Sequence, residues 1–513
     1  MAKNIVLCAD GTGNTAIKGR GTNVFKLYEA VDENGHRVNP DLIPQVAIYH
    51  DGVGTETLKW IRMATGATGW GLSRNVKQLY AELARVFDPG DHIFFFGFSR
   101  GAFTVRTLAS LIATCGVLDL GRYPTNKAFD KAIEEVYREY RRKYQTYVSQ
   151  KLFGVRQVDA NALRRRFSVS DPTHCPNGKV PIHFLGVWDT VDAVGLPFHA
   201  ADVINTLFYR FKFPDMTLND QVVQASHALA LDEERRSFQP LLWEQQRPED
   251  KSCIEQVWFA GVHSNVGGGY PRQGMSLVAL DWMMSQAEAV GLRFNAAERE
   301  LYRGHVEVND KLYDPRAGLG VFYRWSPRNV ERLCAANSVP VKLHRSVFDR
   351  IARNTEGYAP AVIPAQFELV SSTLPPANAR TVVKLVQSAH HGVPSLIATA
   401  WWSVILGQIS YWLMLIAVVG FLLAGFWMYV KEAIDLAQTW DQVVMKIGSG
   451  FVTGRWMIMT ATALWEHPLV LWVIVGILAT AYVLELIVDT RLDWRCSGFW
   501  HQLRRQLRNA LGF

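Results

Sequence analysis

The chain has 513 residues and a formal net charge of +7 at neutral pH, which leaves room for a large catalytic domain plus an appendage. A mild basic excess suits an anionic membrane surface as well as a nucleic acid. No zinc-finger, RRM-type or basic-zipper pattern is present, so nucleic acid is set aside as a partner. The six cysteines (Cys8, Cys115, Cys175, Cys253, Cys334 and Cys496) are scattered without a C-x-x-C pair, a usage that fits a reducing compartment and argues against disulfides or a thiolate metal site.

Taken in order, the chain enters a short apolar strand, Ile5 to Ala9, with no signal-peptide h-region ahead of it. The strand runs into Asp10-Gly11-Thr12-Gly13-Asn14, a turn of small residues whose glycines let backbone N–H groups approach a ligand. Early in an α/β-hydrolase such a turn supplies one oxyanion-hole N–H, here from Gly11 or Thr12; a plain tight turn is the bland alternative. A Walker A loop is excluded because no Gly-Lys-Ser/Thr follows. Val46 to His50 is a second strand, ending at Asp51, which either satisfies the N–H groups of its turn or serves as a ligand or an acid. Arg74 to Phe87 carries Val76, Leu79, Tyr80, Leu83 and Val86 at helical spacing.

Ile93 to Phe98 is a continuous apolar run suited to a strand buried on both faces. Gly97-Phe98-Ser99-Arg100-Gly101 follows, and Thr104 to Cys115 reads as a helix. Strand, Gly-x-Ser-x-Gly and helix in succession are the context of a nucleophile elbow. The turn is so sharp that neighbours two residues from the serine must have almost no side chain. The hydroxyl of Ser99 then stands at the sheet's edge beside a helix N-terminus, and the Arg100 N–H is a candidate oxyanion donor.

Arg122 to Arg166 is basic and helical in pattern, read either as a solvated face or as an insertion resting on phospholipid headgroups. Pro181 to Val187 is another buried strand, ending in Trp188-Asp189-Thr190. Asp189 stands where an α/β-hydrolase places its triad acid, after the serine and before the histidine, with Asp192 as its rival. The aromatic-rich stretch from Val194 to Phe213 reads either as a lid or acyl-chain groove or as core packing. Gln221 to Leu231 is expected to be helical, with His227 a hydrogen-bonded core histidine and Asp232 a structural salt-bridge acid. Ile254 to Ala260 is a strand leading into the Gly-rich loop that carries His263. The order Ser99, Asp189, His263 is the order of an α/β-hydrolase triad.

These segments predict an α/β fold: an α/β-hydrolase-like, mostly parallel sheet with helices on both faces. The sequence resembles the type VI secretion phospholipase-effector catalytic domain family, a branch of the α/β-hydrolases. The resemblance runs over about residues 3 to 365. It is carried by Asp10-Gly11-Thr12-Gly13-Asn14, Gly97 to Ala102, Gly186 to Val191, His227 to Glu233, Gly261 to Ser264 and His344 to Val347. It implies a Ser-Asp-His esterase acting on phospholipid ester bonds, with Ser99 as nucleophile, Asp189 as acid and His263 as base. Many relatives have Asp after the His-Ser pair where this chain has Asn265. No metal or organic cofactor is implied.

Beyond the resemblance, Trp401 to Tyr429 is almost wholly apolar with aromatic anchors at both ends, and Pro468 to Val488 is a second such run holding one carboxylate, Glu485. Val443 to Leu464 carries Lys446 and Arg455 and is read as an interfacial piece or a third span. The expected organisation is a catalytic domain over 1–370, a linker over 371–395, a C-terminal transmembrane helical hairpin over 396–490 and a basic tail over 491–513. The basic insertion falls at about 122–170 and the lid at 194–225. Because the expected triad and every expected core strand lie before about residue 395, truncation there is expected to release a soluble catalytic unit, separable from its anchor. Arginines after the last run place the tail in the cytoplasm, and two spans place the catalytic domain there too, at the inner membrane. The reading is a membrane-anchored serine esterase. Its alternatives are a tethered scaffold or sensor on an inactive hydrolase fold, or an esterase or acyltransferase for a soluble ester. An always-active lipase would damage its own membrane, which points to a regulatory or immunity protein partner that no residue marks.

Overall fold

The computed structural model describes residues 2–11, 21–51, 70–143, 158–192, 216–393, 395–435 and 468–513, with a few isolated positions between the last two. Thr12, most of the expected lid and nearly all of Val443 to Leu464 lie outside the described residues.

The described residues form one eight-stranded sheet. Its strands are β1 Asn4–Ala9, β2 Gln45–His50, β3 His92–Phe98, β4 Ile182–Trp188, β5 Val222–Ala230, β6 Ile254–Phe259, β7 Lys342–His344 and β8 Glu368–Val370. The order is β2-β1-β3-β4-β5-β6-β7-β8, and every pairing is parallel. Helices cover both faces, so the central strands β1, β3 and β4 carry near-continuous apolar runs rather than strict alternation. Side-chain alternation divides them between two cores. Ile5, Leu7, Ile93 and Phe95 pack with residues of α2 (Trp70–Val86) and α3 (Arg100–Cys115), whereas Val6, Cys8, Phe94 and Phe96 pack with α1 (Asn23–Ala30) and α6 (Gly274–Glu288). The basic stretch contains α4 (Asn126–Arg142), whose Arg142 pairs with Glu139.

Register brings the carboxyl ends of the inner strands level: Ala9 opposite Gly97, Phe98 opposite Trp188, and Trp188 opposite Ala228. The strand order reverses direction at β1, between β2 and β3. That crevice, outside the carboxyl ends, is where open α/β sheets place their ligands.

Three expectations change. Gln221 to Leu231 is strand β5, not a helix. Its small and apolar residues are buried from Ala225 through Leu231, and pairing with β4 and β6 overrides their helical propensity. Residues 371–395, expected as a linker, contain helix α8 (Pro376–Ala389), whose Val382 and Val386 are fully buried. The basic tail is the continuation of α10 (Pro468–Leu511), a single helix of 44 residues. Its Cys496, Trp500, Leu503 and Leu507 join Phe348 and Ile351 of α7 (Arg345–Arg353) and Val386 of α8 in a third core. The tail therefore packs into the same core as α7 and α8.

The other long helix is α9 (Trp401–Asp435). Trp401–Leu423 within it and part of α10 are long and apolar enough to cross a membrane. The two helices pack on each other, with the Ser410 hydroxyl donating to the Ala481 carbonyl at 2.7 Å. They also touch the catalytic body. Arg316 donates to Glu485 of α10 at 2.8 Å, and Gly407 of α9 lies so close to Trp325 that a Cβ there would sit 2.6 Å from the indole.

Candidate active site

Ser99 ends the run of β3 and caps α3 with φ 58° and ψ −122°, a strained conformation for a residue bearing a Cβ. The flanking glycines are required by backbone, not by side chains. A Cβ on Gly97 would lie 2.7 Å from the Ala102 nitrogen, and one on Gly101 would lie 2.1 Å from the Ala9 carbonyl oxygen. The Ser99 N–H donates to the Trp188 carbonyl at 3.0 Å, tying the turn to the end of β4.

Asp189, the residue after β4, has φ 38° and is fully buried. Its Oδ2 lies 2.6 Å from His263 Nδ1. His263 opens the short helix α5 (His263–Gly267) after β6, its imidazole 4.6 Å from the Phe98 ring and 5.0 Å from the Phe238 ring. The sheet thus joins Asp189 to His263 directly and brings Ser99 beside them through its neighbour Phe98. Among the described residues no hydrogen bond links His263 to the Ser99 hydroxyl, and such links commonly tighten only when substrate binds. Burial lowers the His263 pKa against the opposing pull of Asp189, which favours the neutral imidazole.

Three charged residues that sequence reasoning left unassigned complete the surroundings. Arg328, fully buried, forks onto Asp189, with one nitrogen 2.6 Å from Oδ1 and the other 2.8 Å from Oδ2. Burial alone would push the Asp189 pKa up; the Arg328 guanidinium, ahead of His263, holds it well below the usual carboxylate range. Glu233 accepts the His263 backbone N–H at 3.2 Å and forms a two-point pair with Arg235 at 2.8 Å. Glu233 sits inside a stretch that carries the family resemblance, whereas Arg328 has no local pattern to mark it.

His227 and Asp232 hold the site's framework. His227 is a buried histidine, as expected, although on a strand. Its Nε2 accepts the Thr190 N–H at 3.1 Å, fixing the turn just after Asp189. Asp232 takes hydrogen bonds rather than the expected salt bridge, from the Gly261 N–H at 2.6 Å and the Tyr358 hydroxyl at 2.8 Å. Asn265 is a buried tie: its amide donates to the Lys311 carbonyl at 3.0 Å. Of the expected oxyanion donors, Arg100 occupies the first turn of α3. The Gly11 N–H donates to Asp10 Oδ1 at 2.6 Å, and Thr12 lies outside the described residues. Among those residues no cluster of three or more metal-ligating side chains occurs.

The described body is thus a parallel α/β sheet whose carboxyl edge carries the strained Ser99 and the buried Asp189–His263 pair. The chain belongs to the type VI secretion family described as "Phospholipase effector Tle1-like, catalytic domain", which matches residues 3–286. It is 28% identical over 253 residues to the uncharacterized protein YEL023C of Saccharomyces cerevisiae, a stretch that is 47% of this chain and 32% of that protein. The chain therefore spans about a third of that relative's length. Solved structures with partial similarity include an uncharacterized protein from Pseudomonas aeruginosa, at 18% identity over 78% of this chain and 61% of that one, TM-score 0.33. Another is the Tle1 effector bound to the VgrG spike of the type 6 secretion system, at 16% identity over 53% of this chain and 51% of that one, TM-score 0.28. Family membership supports phospholipase or esterase activity.

Proposed function

We propose that the protein is a membrane-anchored serine esterase that hydrolyses phospholipid ester bonds through Ser99, His263 and Asp189. The observation that carries this reading is the 2.6 Å contact of the buried Asp189 with His263 Nδ1, beside a serine held at φ 58°. Ser99 Oγ attacks the ester carbonyl while His263 Nε2 takes its proton. Asp189 fixes the imidazole's tautomer and stabilises it when charged. The oxyanion forms at the first turn of α3, where the Arg100 N–H and the helix N-terminus favour negative charge. Collapse expels the alcohol, protonated by His263, and water then releases the acyl group by the same route.

The hairpin of α9 and α10 serves as anchor. Its apolar side chains stay exposed along both helices, Leu423 at 61% and Trp472 at 70% among them, an unusual surface in water but an ordinary one in lipid. The chain leaves the catalytic body before α9 and returns to it through the end of α10, so it crosses the bilayer an even number of times. The arginines of the returning segment favour the cytoplasmic side of an inner membrane, and a regulatory or immunity partner would restrain the enzyme there. The test is lipid hydrolysis by the full chain in mixed micelles, wild type against Ser99→Ala. Loss of hydrolysis and of fluorophosphonate labelling in the folded mutant supports the reading; labelling that persists places the nucleophile elsewhere.

A further inference from the structure

Asp189 is shared between a permanent cation and an imidazole that can become one. On one side is the His263 imidazole; on the other is Arg328, which also donates to the carbonyls of Ala230 and Phe238. Four hydrogen bonds therefore lock the guanidinium, and none of its atoms reaches solvent. Arg328 lies beyond residue 286, where the family match ends. It ends the segment whose Arg316 and Trp325 meet the two membrane helices.

We infer that Arg328 is a positioning residue for the hydrolysis: it sets the plane of the Asp189 carboxylate and cancels its charge across from His263. This rests on the Ser99–His263–Asp189 reading. A planar fork matched to a carboxylate fixes its rotation in a way that a point charge does not. The charge argument follows from counting. With Arg328 present, the Arg328–Asp189–His263 cluster is neutral when the imidazole is neutral, and a proton must be added to a buried site as net positive charge. Without it, the cluster is an uncompensated buried anion, and the Asp189–His263 pair takes up a proton at higher pH, whichever of the two atoms holds it. The other charges facing the pair do not replace it. Glu233 and Arg235 neutralise each other beside His263, and His227 is a neutral hydrogen-bond acceptor behind Thr190. Arg106 stands farther back, near His227, with its guanidinium over Trp243.

The experiment compares full-length wild type, Arg328→Met and Arg328→Lys in detergent micelles. It reads kcat/KM on a short-chain ester and the rate of fluorophosphonate labelling from about pH 5 to pH 9, the range in which imidazoles titrate. Arg328→Met is expected to move the midpoint of the acid limb upward by about one unit or more. Arg328→Lys keeps the charge but not the fork, and is expected to leave the midpoint in place while lowering the plateau about tenfold or more. A Met variant that loses activity equally at every pH, or behaves as wild type, overturns the inference. If near-UV circular dichroism shows that the Met variant does not fold, the Lys variant decides: a shifted midpoint or an unchanged plateau overturns it. Labelling that survives Ser99→Ala would instead defeat the underlying triad reading, whatever Arg328 does.

Discussion

Arg316 and Glu485 of α10 meet at 2.8 Å, with 14% and 34% of their side chains exposed. The single carboxylate of an otherwise apolar run is thus answered by a cation from another part of the chain. A double-mutant cycle of Arg316→Met and Glu485→Gln, read by denaturant unfolding in micelles, is expected to give a coupling of about 1 kcal/mol, the scale of a partly exposed pair. Simple additivity would mean that the pair contributes orientation without stability.

Asp189→Asn is expected to lower turnover by up to about 10⁴-fold, because the amide cannot hold the imidazole in its working tautomer. Asp192→Asn should be mild. Steady-state hydrolysis of a soluble ester by both variants checks this, and a reversed ranking would reassign the acid.

Trp500 is fully buried, its indole N–H donating to the Pro360 carbonyl at 2.9 Å. Trp500→Ala should cost about 3–5 kcal/mol, whereas Trp494→Ala, at a position 80% exposed, should stay within about 0.5 kcal/mol. Removal of residues 491–513 should destabilise the catalytic body at least as much as Trp500→Ala. A truncated protein with an unchanged melting transition would separate the tail from the fold.

Burial pushes the pKa of His227 down to about 3 and those of His183 and His344 down to about 4. These residues are neutral in the native state, while the unfolded chain binds protons near pH 6.5. Their contribution is therefore present above about pH 6.5 and lost progressively as pH falls toward the native values. Asp189, depressed by Arg328, adds a second loss only below about pH 4. Melting temperature should decline from pH 6.5 downward, and His227→Gln should flatten the upper part of that slope. An unchanged slope would place the acid sensitivity elsewhere.

Gly101→Ala should abolish activity and destabilise the fold, since the added methyl meets the Ala9 and Asp10 carbonyls at 2.1 and 2.5 Å. Thermal unfolding alongside probe labelling would register both effects; a soluble, labelled variant would mean that β1 can give way.

The parts legible in the sequence are those whose information is local. β3, the elbow and the apolar runs of α9 and α10 each announce themselves within a dozen residues by periodicity, glycine placement or length. Strand β5 misled because its Ala-rich composition favours a helix, and only its two neighbours in the sheet make it a strand. β7 and β8 are three residues each, too short for a period to show. Arg328 reaches Asp189 across 139 positions of chain, and a buried ion pair of that span leaves no trace in spacing. The tail read as a basic cytoplasmic segment because its five arginines follow directly on an apolar run, which drew the reading to charge rather than to the spacing of its apolar residues. The stripe of Cys496, Trp500, Leu503 and Leu507 acquires meaning only once α7 and α8 stand opposite it.

Because α10 runs without a break from its apolar half into the docked tail, angle and height are both transmitted along it. Each residue turns a helix by about 100° and advances it by about 1.5 Å. Inserting one residue between Asp489 and Cys496 would swing the Trp500 stripe out of phase with Glu485, so that one attachment or the other must let go. Inserting seven would restore the phase to within about 20° and raise the Trp500 attachment point by about 10 Å. On the proposed anchoring, the helix behaves as a geared spacer, in which the heading of the proposed active site and its stand-off from the lipid are set separately by residue number.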